Sequence, residues 1–140
     1  MPANVPATIA ELARRSGVEV ASIRLYEKIG LLPRPRRRRG RSDDAAYHQE
    51  HFDRLMFIER SLALGFSFEA IADLAGVKGG LQTCNDVYQI AERRLAEVRR
   101  EIAALARMEA RLEALAGTCP RKGSRSDCTL LAELSRTAEC

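Results

Sequence analysis

The chain has 140 residues, of which 46% are hydrophobic, 30% charged and 5% aromatic, with no Trp. That length holds one ordinary domain, or a small domain plus a long helix, and excludes a two-domain enzyme; the scarcity of aromatics argues against a β-sandwich or an aromatic-lined carbohydrate site. The net charge of +4 is unevenly spread, with ten Lys or Arg against three acids in residues 1–41 and thirteen against sixteen in residues 42–140, so a basic end suited to nucleic acid precedes a slightly acidic remainder.

Thr8 followed by Glu11 has the spacing of a capping box, and Ile9, Leu12 and Ala13 give the helix behind it a short apolar face. Ser16-Gly17 breaks that helix. A second one is expected over residues 19–29, carrying Val20, Ile23 and Tyr26, until Gly30 ends it. Two short helices about a Gly turn make a helix-turn-helix. Its second helix offers Ser22, Arg24 and Tyr26 as DNA contacts, Tyr26 serving equally well to pack against the first helix.

The following stretch holds Pro33 and Pro35, Gly40, and Arg34, Arg36, Arg37, Arg38, Arg39 and Arg41. Prolines forbid a helix here and the guanidinium groups forbid burial, so an exposed cationic loop or hairpin is expected, a wing beside the recognition helix. A third helix follows over residues 49–64, with Phe52, Leu55, Ile58 and Leu62 at helical spacing; Gly65 stops it and Ser67 caps a short fourth helix bearing Phe68, Ile71 and Leu74. His48 and His51 read as ordinary surface residues.

Thr83 and Asp86 open another helix, free of Gly and Pro from Cys84 to Ala116. At 1.5 Å per residue it reaches about 50 Å. Leu95, Val98, Ile102, Leu105, Met108, Leu112 and Leu115 form one apolar stripe among Arg, Glu and Ala. The small N-terminal domain is too short to cover that stripe, and a second copy of the helix would, so a homodimer is expected, its two-fold symmetry suiting a palindromic operator.

No apolar run nears the roughly 20 residues of a membrane span and the N-terminus lacks a signal-peptide pattern, so the expected location is the cytoplasm, with no membrane partner. Thiols or metal ligands are then favoured over disulfides for the four Cys. Cys84 opens the long helix, and Cys119 and Cys128 lie past its end around a loop of turn formers and charges. Antiparallel pairing of two copies places Cys84 of one subunit near Cys119 and Cys128 of the other, giving two three-thiolate sites that favour soft ions. A buried apolar role for Cys84 and a labile disulfide between Cys119 and Cys128 are the alternatives on spacing alone. Cys140, at the terminus, is read as dispensable.

Ile9-Ala10-Glu11-Leu12-Ala13, Ser16-Gly17-Val18, the run from Ser22 to Leu32, and Leu64-Gly65-Phe66-Ser67 together resemble the MerR family of transcriptional regulators, over nearly the whole chain. The resemblance implies a mainly α fold: a winged helix-turn-helix DNA-binding domain (1–80), a long antiparallel coiled-coil dimerisation helix (81–117, seam residues Leu95, Val98, Ile102, Leu105 and Leu112), and a short metal-binding loop and tail (118–140). It also implies a regulator, not an enzyme, that distorts promoter DNA to realign the two elements read by RNA polymerase. Leu105-Ala106-Arg107-Met108-Glu109 followed by Cys119, Arg121-Lys122-Gly123 and Cys128 is similar to the mercury-responsive branch, making mercuric ion the implied effector, bound by Cys84, Cys119 and Cys128, with cadmium, lead and zinc as alternatives. A thiol metal-buffering protein with incidental DNA affinity is the rival from another class. The sequence departs from the family pattern before the third helix, where Ala45 replaces an Arg and Asp43 and Asp44 add negative charge.

Overall fold

The computed structural model describes residues 7–37, 45–80 and 83–136. The chain is mainly helical, in the order α1 (Ile9–Ser16), α2 (Val20–Lys28), β1 (Arg36–Arg37), β2 (Ala45–Ala46), α3 (Gln49–Ala63), α4 (Phe68–Leu74), α5 (Cys84–Gly117) and α6 (Thr129–Ser135). Contacts divide it into two units, Met1–Arg94 and Leu95–Cys140. Among the described residues no helix is long and apolar enough to cross a membrane.

Short-range chemistry sets the ends of the helices. The Thr8 hydroxyl accepts from the Glu11 amide at 3.2 Å, supplying one of the donors that the first turn leaves unpaired. The reciprocal half of the expected capping box is replaced by an ion pair: the Glu11 carboxylate accepts from Arg15 one turn along α1 at 2.5 Å. Gly17 closes α1 at φ +73, a left-handed conformation that costs glycine nothing. Ser67 caps α4 by accepting from the Ala70 amide at 3.1 Å. Thr83 and Asp86 do form a reciprocal box at the start of α5, with 3.0 and 3.2 Å bonds.

In the N-terminal unit, Leu12 of α1, Val18 of the turn, Ile23 and Tyr26 of α2, Leu31, Leu32, Tyr47, Leu55 and Ile58 of α3, and Ile71 of α4 form one buried cluster. The wing is a two-stranded antiparallel hairpin in the register Arg36↔Ala46 and Arg37↔Ala45. Its base is stitched to the chain before α1 by paired backbone bonds between Ala7 and Tyr47, at 2.8 and 2.9 Å.

One surface assignment is corrected. His51 is 1% exposed and belongs to the core. It sits four residues before Leu55 and seven before Ile58, on the buried face of α3, where helical periodicity leaves no route to solvent. Its Nδ1 accepts from the His48 backbone N–H at 2.9 Å, so the ring caps its own helix, and it meets the Tyr47 ring edge-on with centroids 5.4 Å apart. Burial holds its pKa below the ordinary value; the repulsion from His48 acts the same way, while Glu50, Glu27 and the Arg34 carbonyl oppose it. A lowered folded-state pKa means that the unfolded chain binds the proton first. Stability therefore falls as pH drops below the unfolded value of about 6.5 and continues falling down to the folded pKa. Denaturant titrations at pH 8 and pH 5.5 should show His51→Gln losing less stability across that interval than the wild-type chain; equal losses would contradict this placement.

The C-terminal unit contains the remainder of α5, a 3-10 turn at Arg125–Asp127, and α6. Ile102, Leu105, Met108 and Leu112 are each about 60% exposed, and Leu95 is exposed, while Val98 and Leu115 are half-buried. The expected stripe thus lies open along the single chain.

Candidate DNA interface and thiol site

Packing of α1 against α2, together with the bond from Tyr26 to α3, selects which side chains of α2 remain available. Ile23 is fully buried and anchors the helix; Arg24 and Lys28 stay exposed and Ser22 is half-buried. An exposed cationic edge on the second helix of a helix-turn-helix is what phosphate contact requires. Tyr26, for which both a DNA contact and packing were open, lies in the core at 6% exposure and donates its hydroxyl to Glu59 of α3 at 2.9 Å. Burial, then the bond to the Glu59 carboxylate and its charge, push the phenol up to about 12, so it remains a protonated donor. Its ring also meets Phe68 of α4 edge-on, at 6.2 Å between centroids.

A second buried tyrosine does the same for the wing. Tyr47, directly after β2, donates to Glu27 of α2 at 2.5 Å. Burial first, then the Glu27 bond and charge, raise its pKa, with Arg24 opposing. Two neutral phenols donating to two carboxylates thus tie α2 to α3 and to the wing base. The Arg54 guanidinium adds a bond to the Leu31 carbonyl at 3.3 Å, holding the turn after α2. Charge-assisted bonds of this kind are stronger and more directional than neutral ones, which suits a helix that must present side chains at a fixed angle. Sequence reasoning missed Glu27, Glu59 and His51. For His51 the 3–4 spacing with Leu55 and Ile58 was the available signal; the two tyrosine–glutamate bonds span 20 and 33 residues and leave no local trace.

Of the wing arginines, Arg36 and Arg37 form β1. Arg38, Arg39 and Arg41, with Asp43 and Asp44, lie outside the described residues, as does Cys140.

Cys84, Cys119 and Cys128 are free thiols, the first exposed and the other two half-buried. Cys84 is the first residue of α5, and Cys119 lies two residues beyond its last, with its amide bonded to the Ala116 carbonyl at 3.2 Å. The loop onward from Cys119 turns at Arg121 (φ +59) and Gly123 (φ +107). The Ser124 hydroxyl then donates to the Asp127 carboxylate at 2.8 Å, so Asp127 is engaged in closing the loop. Cys128 ends the loop as the residue preceding α6. Within one chain, no group of three or more His, Cys, Asp or Glu side chains converges among the described residues.

Comparison with known proteins places these features. The MerR HTH family regulatory protein family matches residues 7–76, and the family described as MerR, DNA binding matches residues 52–115. The mercuric resistance operon regulatory protein of Serratia marcescens is 34% identical, over 94% of this chain and 90% of its own. The HTH-type transcriptional regulator HmrR of Rhizobium leguminosarum bv. viciae is 38% identical, over 91% of this chain and 96% of its own. A crystal structure of the transcription regulator PbrR691 from Ralstonia metallidurans CH34 in complex with lead(II) superposes with a TM-score of 0.78 at 30% identity, covering 92% of this chain and 99% of that one. With two family matches across residues 7–115 and a relative of 34% identity aligned over 94% of the chain, the chain belongs to the MerR family of helix-turn-helix transcription regulators.

Proposed function

We propose that the chain is a metal-responsive transcription regulator that binds promoter DNA as an antiparallel homodimer through residues 84–116, with two effector sites each built from Cys84 of one subunit and Cys119 and Cys128 of the other. The observation that carries this reading is the placement of three free thiols at the two ends of one unbroken 34-residue helix whose apolar stripe is exposed. Burying a Leu or Ile contributes about 1.5–3 kcal/mol. The open side chains of α5 therefore favour a partner, and a second copy of the same helix matches them. Antiparallel pairing then brings each Cys84 to the opposite subunit's loop.

Three thiolates, with no His nearby and Asp127 held by Ser124, form a soft donor set that accepts three-coordinate geometry. Mercuric ion fits it best; zinc would need a fourth ligand. The mercuric resistance regulators among the relatives support mercury. Lead is the second reading, favoured by the lead(II) complex of the structural relative. The basic end, the exposed Arg24 and the wing arginines Arg36, Arg37, Arg38, Arg39 and Arg41 would hold phosphates on either side of the bases faced by Ser22, while Tyr26 sets the angle of α2 from within the core. Effector binding would shift a two-state dimer and, with it, the twist or bend of the DNA between the two elements that RNA polymerase reads.

Transcription in vitro with mercuric, lead, cadmium, zinc and copper ions in parallel tests the reading. Induction should be strongest with mercuric ion and should vanish in Cys84→Ser, Cys119→Ser and Cys128→Ser, while Cys140→Ser responds as wild type. A protein that takes up ions through its thiols, yet shows no preference for a palindromic operator and no induction, would instead be a metal buffer. Arg24→Ala should weaken operator binding and flatten the dependence of log affinity on log salt by about one phosphate contact. An unchanged slope would remove Arg24 from the interface.

A further inference from the structure

Leu64-Gly65-Phe66-Ser67 has no part in the DNA contacts or the thiol site, yet its geometry is tightly specified. The Phe66 amide bonds to the Ser61 carbonyl at 3.2 Å and the Gly65 amide to the Leu62 carbonyl at 2.8 Å. With Gly65 at φ +77, these are the two bonds of a Schellman ending for α3. That ending leaves the Leu64 carbonyl pointing out of the helix as an acceptor. The guanidinium Nε of Arg94, on α5 and thirty residues away in sequence, donates to it at 2.9 Å. A positive charge at a helix C-terminus is also favoured by the helix dipole. The same guanidinium lies against the bare face of Gly65, where any Cβ would overlap it. Gly65 therefore has two jobs: the left-handed turn and room for Arg94.

Arg94 sits ten residues beyond Cys84, less than three turns along the same helix and about 15 Å from its start. Of the two ends of this contact, one is held by α5, whose first residue is a candidate effector ligand. The other is the end of α3, whose first turn carries His51 against the Tyr47 ring and which receives the Tyr26 hydroxyl from α2 at Glu59. A chain of directional bonds thus runs from α5 through α3 to the DNA-facing helix.

We propose that Arg94 is a positioning residue for signal transfer: its bond to the Leu64 carbonyl, in the space left by Gly65, carries displacements of α5 caused by effector binding at Cys84 into α3 and so into α2. The inference rests on the metal-responsive reading above and goes beyond it by naming the joint. Loss of the joint should uncouple two functions that each remain intact.

The test uses the full-length dimer with mercuric ion as the probe and three readouts: ion uptake, operator affinity without ion, and fold-induction of transcription. In Arg94→Ala, uptake and ion-free operator affinity should stay within about threefold of wild type while induction falls at least about tenfold, a coupling in the usual range for linked sites. Arg94→Lys, which keeps the charge and a donor, should recover a substantial part of the induction. Gly65→Ala should reduce induction in the wild-type background by displacing the guanidinium and straining the left-handed turn, and should reduce it by a smaller factor in the Arg94→Ala background, where only the strain of the turn remains. Wild-type induction in Arg94→Ala would overturn the inference. So would a parallel loss of operator affinity and induction in both Arg94→Ala and Arg94→Lys, which marks a merely structural residue. If the wild-type dimer itself gives no induction with any thiophilic ion, the metal-responsive reading fails, a result distinct from any obtained with the variants.

Discussion

The structure depends on one constraint: α5 is a single 34-residue helix whose apolar stripe beyond Ile90 stays largely exposed among the described residues. An apolar stripe with Ile102, Leu105, Met108 and Leu112 each well over half exposed is not a stable end state in water. Pairing with a second copy, as proposed, would remove it. The proposed antiparallel arrangement then follows through to the chemistry, since a helix with a thiol at its start and two more past its end would offer them to the opposite ends of a partner helix.

The N-terminal unit faces a different requirement. The second helix of the helix-turn-helix, at nine residues, is too short to be stable alone. It is held by Ile23 in the core and by part-buried bonds from two buried phenols, Tyr26 to Glu59 and Tyr47 to Glu27. Burial keeps both phenols protonated, and protonated phenols are what two carboxylates need as donors. Arg24 and Lys28 stay exposed on the same helix.

Much of this was legible because it is local. Thr8, Gly17, Ser67 and the Thr83–Asp86 pair mark helix ends through chemistry confined to one turn, and the helices begin and stop where those residues indicate. The hairpin after α2 was equally readable, because Pro33 and Pro35 bar a helix and the arginines bar burial. His51 was misread because a titratable residue near a helix start suggests surface, although its spacing from Leu55 and Ile58 marks the buried face. The bond from Arg94 to Leu64 was invisible for another reason. An arginine among the charged residues of a long helix looks solvated until tertiary structure supplies a carbonyl thirty residues away. Of the thiol site, the residue types and their positions, one at the start of α5 and two beyond its end, were legible; their proposed meeting would be a property of two chains.

The central claim, that each effector site is shared between subunits, is tested most directly by mixing two dead proteins. Homodimers of Cys84→Ser and of Cys119→Ser each lack a complete set of three thiols. A mixed dimer of the two variants has one interface where an intact Cys84 faces an intact Cys119 and Cys128, and another where both are lost. Mercuric ion binding measured on purified mixed dimers should therefore show one restored site per dimer, half the wild-type capacity. Mixed dimers that bind no ion, while both variants still dimerise, would show that the site does not span the subunits and would contradict the account.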